Sequence, residues 1–89
     1  MKENEIGLSV RQIIAKKLSP PGKSWTTDDV TPEKYLVQDL GADSLDGVEI
    51  TMEYEKQFGI EISGLEEESI LTVQDSIDIV NRKINEKTL

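Results

Sequence analysis

Apolar residues at helical spacing open the chain. They recur at intervals of three or four positions, with polar residues between them, as Ile6, Val10, Ile13, Ile14 and Leu18. This spacing places them on one face of an α-helix and predicts a first helix over residues 3–18. Pro20 and Pro21 follow closely, and proline cannot continue the hydrogen bonding of a helix. The first helix is therefore expected to end before them.

A second helix is predicted over residues 44–58, and it carries two apolar stripes. One stripe holds Ile50, Tyr54 and Phe58. The other stripe lies about 150° away around the helix and holds Leu45, Val48 and Met52. A helix in a small bundle buries one face, so the second stripe is expected at the surface, where apolar and acidic side chains together suit protein recognition. The alternative is that the long preceding loop covers this side of the helix.

Local signals mark both ends of this second helix. Asp43 is a good N-cap residue, and Asp46, three positions later, approximates a capping box. Phe58 and Gly59 give a C-terminal stop, because glycine readily adopts the left-handed conformation that ends helices.

A long connection, residues 19–43, separates the first two helices. It is rich in Ser, Pro, Thr, Gly and Asp, and loops longer than about 12–15 residues are uncommon unless they are functional or pack down. Thr31 and Pro32 are expected to open a single helical turn within it. The side chains predicted to anchor the loop against the bundle are Trp25, Val30, Tyr35, Leu36, Val37 and Leu40.

Two more helices are predicted after the second one. A short link leads to a brief helix over residues 65–70, and Thr72 caps a last helix over residues 73–86. The chain shows no strand-like alternation and no internal repeat. The predicted fold is all-α, a small bundle of three main helices plus one short helix with a long first loop, in a single domain over residues 1–89.

The sequence contains no histidine and no cysteine, which narrows the chemistry. Disulfides, thiolate or imidazole metal ligands and Ser-His or Cys-His catalytic pairs are excluded, so neither a metal site nor catalysis by the chain alone is expected. The charged residues 1–5 lack the apolar run of a signal peptide, and no stretch reaches the ~20 apolar residues of a membrane span. We expect a cytoplasmic monomer.

Negative charge is concentrated in the middle of the chain. The net charge is −8, and residues 39–68 hold ten acids against one base, Lys56, so that this segment carries −9. Such a field disfavours nucleic acid and anionic membrane surfaces, and it attracts basic patches on proteins. A solvated face that only aids solubility is the alternative. The acids surround a candidate modification site, which favours docking.

That candidate is Ser44. Without histidine it lacks the usual activating base, so we do not expect it to act as a nucleophile on its own. As an acceptor it is well placed, because a phosphate ester at the first turn of a helix meets unpaired backbone N–H groups and the positive end of the helix dipole. Asp and Ser also occur at helix starts for capping alone, which is the alternative interpretation.

The residues around Ser44 resemble a family motif. The stretch D-L-G-A-D-S-L-D over residues 39–46 closely resembles the attachment motif of acyl carrier proteins, D-L-G-x-D-S-L-D. The resemblance extends to Asn81 through V-E-I, Glu61-Ile62 and the ending T-V-Q-D-S-I-D-I-V-N. It implies that a holo-acyl-carrier-protein synthase esterifies Ser44 with 4′-phosphopantetheine from coenzyme A, and that acyl groups ride as thioesters on the added thiol.

The resemblance also implies roles for neighbouring residues. Asp43 is expected to help place metal-bound coenzyme A during modification. Partner enzymes that transfer acyl groups and elongate chains are expected to offer basic docking patches. The positions that match the family's recognition helix are Leu45, Val48, Glu49, Met52 and Glu55, to which the charge pattern adds Asp46 and Glu53. The residues expected to line an acyl cavity are Ile62, Ile70 and Ile77.

The chain departs from the common pattern of the family at Gly47, Lys56, Glu67 and Leu71, and its first loop, with Trp25, is longer. These departures leave the pathway open. Type II fatty acid biosynthesis is the default, and a specialised carrier for a polyketide or a modified lipid is the alternative. The competing class is an unmodified acidic adaptor that binds proteins with the same fold, and the intact D-S-L sequence argues against it.

Overall fold

Three long helices and one short helix form the regular structure of the protein, seen in a computed structural model that describes residues 5–20, 22 and 24–88. They are α1 (Glu5–Leu18), α2 (Ser44–Phe58), α3 (Gly64–Glu68) and α4 (Val73–Thr88). Within the described ranges no strand forms, and Tyr35 and Thr72 make an isolated antiparallel bridge. The predicted all-α fold class is confirmed.

The local signals at the ends of α2 act as the sequence predicts. The Asp43 carboxylate accepts the Asp46 N–H at 2.8 Å, and the Asp46 carboxylate accepts the Asp43 N–H at 3.1 Å. This is a complete capping box. At the other end Gly59 adopts a φ of +66° and donates its N–H to the Glu55 carbonyl at 2.9 Å. Both ends of α2 are therefore fixed by local hydrogen bonds, and the capping box at its N-terminus lies next to Ser44.

The short helix α3 begins at Gly64 and ends at Glu68, whereas the sequence predicted residues 65–70. The shift has a local cause. Ser63 Oγ accepts the Glu66 N–H at 3.1 Å, and the Glu66 carboxylate accepts the Ser63 N–H at 2.9 Å. Ser-x-x-Glu is the sequence signature of such a capping box, so the signal that sets this helix start was present in the chain.

The long helix α4 starts at Val73 as predicted and continues to Thr88 rather than residue 86. Thr72 caps it, since Thr72 Oγ1 accepts the Asp75 N–H at 3.1 Å and the Asp75 carboxylate accepts the Thr72 N–H at 3.0 Å. Lys87 in the last turn suits the negative end of the helix dipole. For α1, residues 3 and 4 of the predicted helix lie outside the described residues.

The core forms where α1 packs against both α2 and α4, with α3 against α2. Apolar side chains from the first loop and from the link after α2 complete it. Its buried apolar residues are Val10, Ile13, Ile14, Ala15, Leu18, Val30, Leu36, Leu40, Ala42, Ile50, Tyr54, Ile60, Ile62, Val73, Ile77, Ile79 and Val80. Among the described residues no helix is long and apolar enough to cross a membrane.

Polar contacts hold the first half of the long loop against α1. Arg11 donates from Nη2 to the Thr27 carbonyl at 2.5 Å and from Nε to the Val30 carbonyl at 2.9 Å. The Trp25 indole N–H donates to the Leu18 carbonyl at 3.0 Å. The loop is thus ordered by hydrogen bonds to α1 as well as by buried side chains.

The second half of the loop pairs with the start of α4 through its backbone. The Leu36 N–H donates to the Leu71 carbonyl and the Val73 N–H donates to the Lys34 carbonyl, both at 3.0 Å. Tyr35 forms the isolated bridge and residues 36–40 then turn, which leaves Leu36 buried while its neighbours Tyr35 and Val37 face outwards. The prediction that Tyr35 and Val37 anchor the loop is therefore wrong, since both are exposed.

Candidate functional site

Ser44 is exposed and is the first residue of α2. The backbone that leads to it is held in place, since the Gly41 N–H donates to the Val37 carbonyl at 3.0 Å and the Ala42 N–H donates to the Leu36 carbonyl at 2.9 Å. Gly41 has a φ of +77°, which a residue with a side chain rarely adopts. The hydroxyl is therefore presented at the positive end of a helix, on a fixed backbone.

A cleft of about 380 Å³ opens beside Ser44. Its floor is one face of α2, where Gly47, Ile50, Thr51 and Tyr54 follow the i, i+3, i+4, i+7 spacing of a helix face. The other lining residues come from the first loop, from α3 and the residues after it, and from α4: Leu36, Val37, Ala42, Asp43, Glu67, Glu68, Ile70 and Ser76. The cleft is apolar along most of its length and acidic at the rim.

An ion-pair cluster fixes α3 at the rim of this cleft. The Glu66 carboxylate lies 2.7 Å from Lys83 Nζ and 2.8 Å from Arg82 Nη2, both on α4. Hydrogen bonds from Lys83 and from the backbone N–H of Ser63 lower the pKa of Glu66 to about 2. The short helix is thus tied to α4, which places the neighbouring Glu67 and Glu68 over the cleft.

Gly47 permits the close approach of this rim to α2. A Cβ atom at Gly47 would lie 3.2 Å from Glu67 Oε2, the free end of a flexible side chain. The glycine that departs from the family pattern therefore lies in the cleft directly against Glu67 of α3.

Gly47→Ala is expected to raise the free energy of unfolding by about 0.5–1 kcal/mol, because alanine is the better helix residue by that amount and Glu67 can swing aside. The matched control is Gly59→Ala, which is expected to lower it by about 1–2 kcal/mol because Gly59 is left-handed. Urea denaturation of both variants checks the pair. A loss of stability in Gly47→Ala would show that Glu67 cannot yield.

The second apolar stripe of α2 lies at the surface. Leu45 is 63% exposed, Val48 44% and Met52 60%. Exposed Glu49 shares this face, since residues 45, 48, 49 and 52 follow the same i, i+3, i+4, i+7 spacing. The alternative of a helix covered on both sides is therefore wrong, because the first loop packs over α1 and α4 instead. We call Leu45, Val48, Glu49 and Met52 the outer face of α2.

Three other acids predicted for partner recognition are engaged elsewhere. Asp46 completes the capping box of α2, and Glu55 accepts the backbone N–H of Ile62 at 2.9 Å, which fixes the link after α2. Glu53 lines a shallow groove between α1 and α2 beside Lys16. These carboxylates contribute charge near the outer face, but their side chains are not all presented on it.

The predicted acyl-cavity residues lie in different places. Ile70 lines the cleft beside Ser44, whereas Ile62 faces a separate shallow pocket and Ile77 is buried in the core. Ile62 and Ile77 belong to the core cluster against which Ile70 packs, but of the three residues Ile70 alone lines the cleft. The helical spacing from Gly47 to Tyr54 was a signal in the sequence for the cleft floor, but which helices flank that face depends on packing.

Two buried hydroxyls lie within the cleft. Tyr54 and Ser76 are each 0% exposed. Burial raises the pKa of Tyr54, and a side-chain hydrogen bond with Ser76 opposes that shift in part. In the described ranges no group of three or more carboxylates is arranged to hold a metal ion.

Comparison with known proteins identifies the family. The family model described as a phosphopantetheine attachment site matches residues 9–75. An acyl carrier protein of Thermosynechococcus vestitus is 42% identical over 84 residues, which cover 94% of the chain and 98% of that protein. The chain belongs to the acyl carrier protein family. The resemblance seen in the sequence is thereby confirmed, and with it the prosthetic group of the family, 4′-phosphopantetheine. An acyl carrier protein is a carrier for acyl-transferring enzymes rather than a catalyst.

Proposed function

We propose that this acyl carrier protein, as a single domain over residues 1–89, carries acyl intermediates as thioesters on 4′-phosphopantetheine esterified to Ser44, in type II fatty acid biosynthesis. The observation that supports this most is the position of Ser44, exposed at the first turn of α2 and at the mouth of a largely apolar cleft. An acceptor hydroxyl and a shelter for an acyl chain therefore lie side by side.

The residues around Ser44 suit the phosphate of the prosthetic group. The first N–H groups of α2 have no partner within the helix, and the helix dipole adds positive potential there, so an anion at Ser44 is stabilised. Asp43 is expected to act at an earlier stage, when its carboxylate helps place metal-bound coenzyme A, because carboxylate oxygens suit hard cations. Once attached, the group supplies the thiol that the chain lacks.

The apolar cleft gives the acyl chain a place out of water. The side chains of Leu36, Ala42, Ile50 and Ile70 offer apolar contact, and each methylene transferred from water to such surroundings contributes about 0.8 kcal/mol. Of the three residues predicted to line the cavity, Ile70 is in contact with this space. Ile62 and Ile77 are expected to act only if the core opens further.

The outer face of α2 is the proposed docking surface for the holo-acyl-carrier-protein synthase and for chain-elongating enzymes. Its apolar residues Leu45, Val48 and Met52 provide anchors, and Glu49 provides charge that a basic patch on the partner would pair with. Methionine suits a surface that must fit several partners, since its flexible side chain adapts its shape.

The proposal is tested by intact mass after incubation with coenzyme A, magnesium and a promiscuous holo-synthase. We expect a gain of one phosphopantetheine, located by peptide mapping at Ser44 and lost in Ser44→Ala. Ser63 is an internal control, because it is also an exposed serine at a helix start among acids. No mass gain would overturn the carrier function in favour of an unmodified adaptor.

A further inference from the structure

The Glu67 side chain reaches across the cleft from α3 to the floor on α2. Glu67 and Gly47 both line the cleft, and a Cβ atom at Gly47 would lie only 3.2 Å from Glu67 Oε2. Carbon atoms in ordinary contact lie about 3.5–4.0 Å apart. The carboxylate therefore takes up space in the cleft that a side chain at position 47 would otherwise occupy.

This contact lies between Ser44 and the deeper part of the cleft floor. Gly47 is one helical turn from Ser44, and Ile50 and Tyr54 continue the same face of α2 beyond it. Glu67 is only partly exposed, so its side chain is not simply directed into solvent. An acyl chain that runs from Ser44 along this floor must pass the Glu67 carboxylate.

A carboxylate is an unfavourable neighbour for a saturated chain. The chain offers no hydrogen bond, and its contact removes water from the charged group, which is costly. The apolar side chains further along the floor reward entry of the chain, whereas the carboxylate opposes it. Deep entry of a saturated chain therefore requires Glu67 to rotate out of the cleft.

The Glu67 side chain can rotate while α3 stays in place. The Glu67 N–H donates to the Ser63 carbonyl at 2.9 Å, and the Ile70 N–H donates to the Glu67 carbonyl at 3.1 Å. The ion pairs that tie α3 to α4 are made by Glu66, so rotation of Glu67 breaks none of them. One side chain on a fixed backbone thus controls access to the deeper floor.

We propose that Glu67 is a specificity-determining residue, whose carboxylate limits how far a saturated acyl chain enters the cleft. The inference rests on the proposed carriage at Ser44. It means that a long saturated chain is sheltered less fully than the apolar floor would allow. A short acyl group, which has little apolar surface to bury, is insensitive to Glu67.

The test compares acetyl and octanoyl groups, loaded from their coenzyme A thioesters by the holo-synthase onto the unaltered protein, Glu67→Ala and the control Glu61→Ala. Glu61 is an exposed acid that does not line the cleft. The measured quantity is the Tm of the acyl form minus that of the holo-protein, which cancels any effect of the substitution on α3 itself. We expect the octanoyl gain to be larger by about 3–6 °C in Glu67→Ala, the shift for roughly one more buried methylene. The acetyl gain should be the same in all three proteins, and Glu61→Ala should match the unaltered protein with both groups.

Chemical cleavage of the thioester gives an independent readout of shelter. Hydroxylamine attacks the thioester carbonyl, forms a hydroxamate and releases the thiol, and a chain held in the cleft is protected from it. Cleavage of the octanoyl form should be up to about fourfold slower in Glu67→Ala than in the unaltered protein, the factor in an equilibrium constant that one methylene contributes.

Three outcomes overturn the inference, each for a different reason. Equal octanoyl gains in Glu67→Ala and the unaltered protein would show that Glu67 does not limit entry of the chain. The same increase in Glu61→Ala would assign the effect to the loss of negative charge in general. Failure of both acyl groups to load onto the unaltered protein would instead refute the proposed carrier function, and the inference would fall with it.

Discussion

Glu49→Lys is expected to lower kcat/KM for phosphopantetheine transfer by the holo-synthase roughly tenfold, equivalent to about 1.4 kcal/mol, without unfolding the protein. Glu49 is exposed on the outer face of α2, among Leu45, Val48 and Met52. A lysine there would meet a basic docking patch with like charge. The change should appear mainly in KM and shrink at high salt, because electrostatic attraction between exposed charges is screened.

The control for this change is Asp28→Lys, which alters the net charge equally at an exposed position of the first loop. It should leave kcat/KM within about twofold of the unaltered protein, since the total field changes little. Met52→Ala should also slow transfer, but with no dependence on salt. If Glu49→Lys and Asp28→Lys behave alike, net charge and not the outer face governs docking.

The organisation of α2 was largely predictable because its signals are local. The capping box of Asp43 and Asp46 and the stop at Gly59 act through residues within one or two turns of each other. The two stripes follow from helical geometry alone. What the sequence left open was which face the first loop covers, and the structure settles it through Arg11, which holds that loop against α1.

The cleft was not predictable in the same way. Its floor lies on one helix, but its walls join α2 to the first loop, to Ile70 and to α4. The sequence does not predict that Tyr54 and Ser76 lie close together, since 22 positions separate them. Each also stands in a local pattern that is ordinary for a core residue. Ile62 and Ile77 were assigned to the cavity from the resemblance, whereas in this structure they are buried in the core and do not line the cleft.

The acids of α2 show a related limit. Charge counting treats Glu49, Glu53 and Glu55 as equivalent, yet each has a different neighbour. Glu55 accepts the Ile62 N–H, and Glu53 faces the groove shared with α1. Glu49 stays exposed on the outer face. A carboxylate that is hydrogen-bonded to the backbone is less free to contact a partner protein. The structure therefore favours Glu49 over Glu55 as a docking residue, a distinction that charge counting does not make.

Two variants of Asp43 are expected to separate the role of its carboxylate in folding from its role in the modification of Ser44. Asp43→Asn keeps an oxygen for the Asp46 N–H but removes the charge, and asparagine is as good an N-cap as aspartate. This variant should stay within about 0.5 kcal/mol of the unaltered stability, the scale of a lost charge–dipole interaction. Its kcat for phosphopantetheine transfer should fall about tenfold or more, because an amide is a weaker ligand for a hard cation than a carboxylate.

Asp43→Ala is the companion variant, and it should lose both functions. Without the cap that accepts the Asp46 N–H at 2.8 Å, the free energy of unfolding should drop by about 1 kcal/mol and the Tm by about 4–8 °C. Thermal denaturation and the transfer assay, run below the Tm of all variants, measure the two effects independently. If Asp43→Asn transfers as fast as the unaltered protein while Asp43→Ala does not, Asp43 acts only by fixing the start of α2. The slow step would then depend on how rigidly Ser44 is held, rather than on the charge beside it.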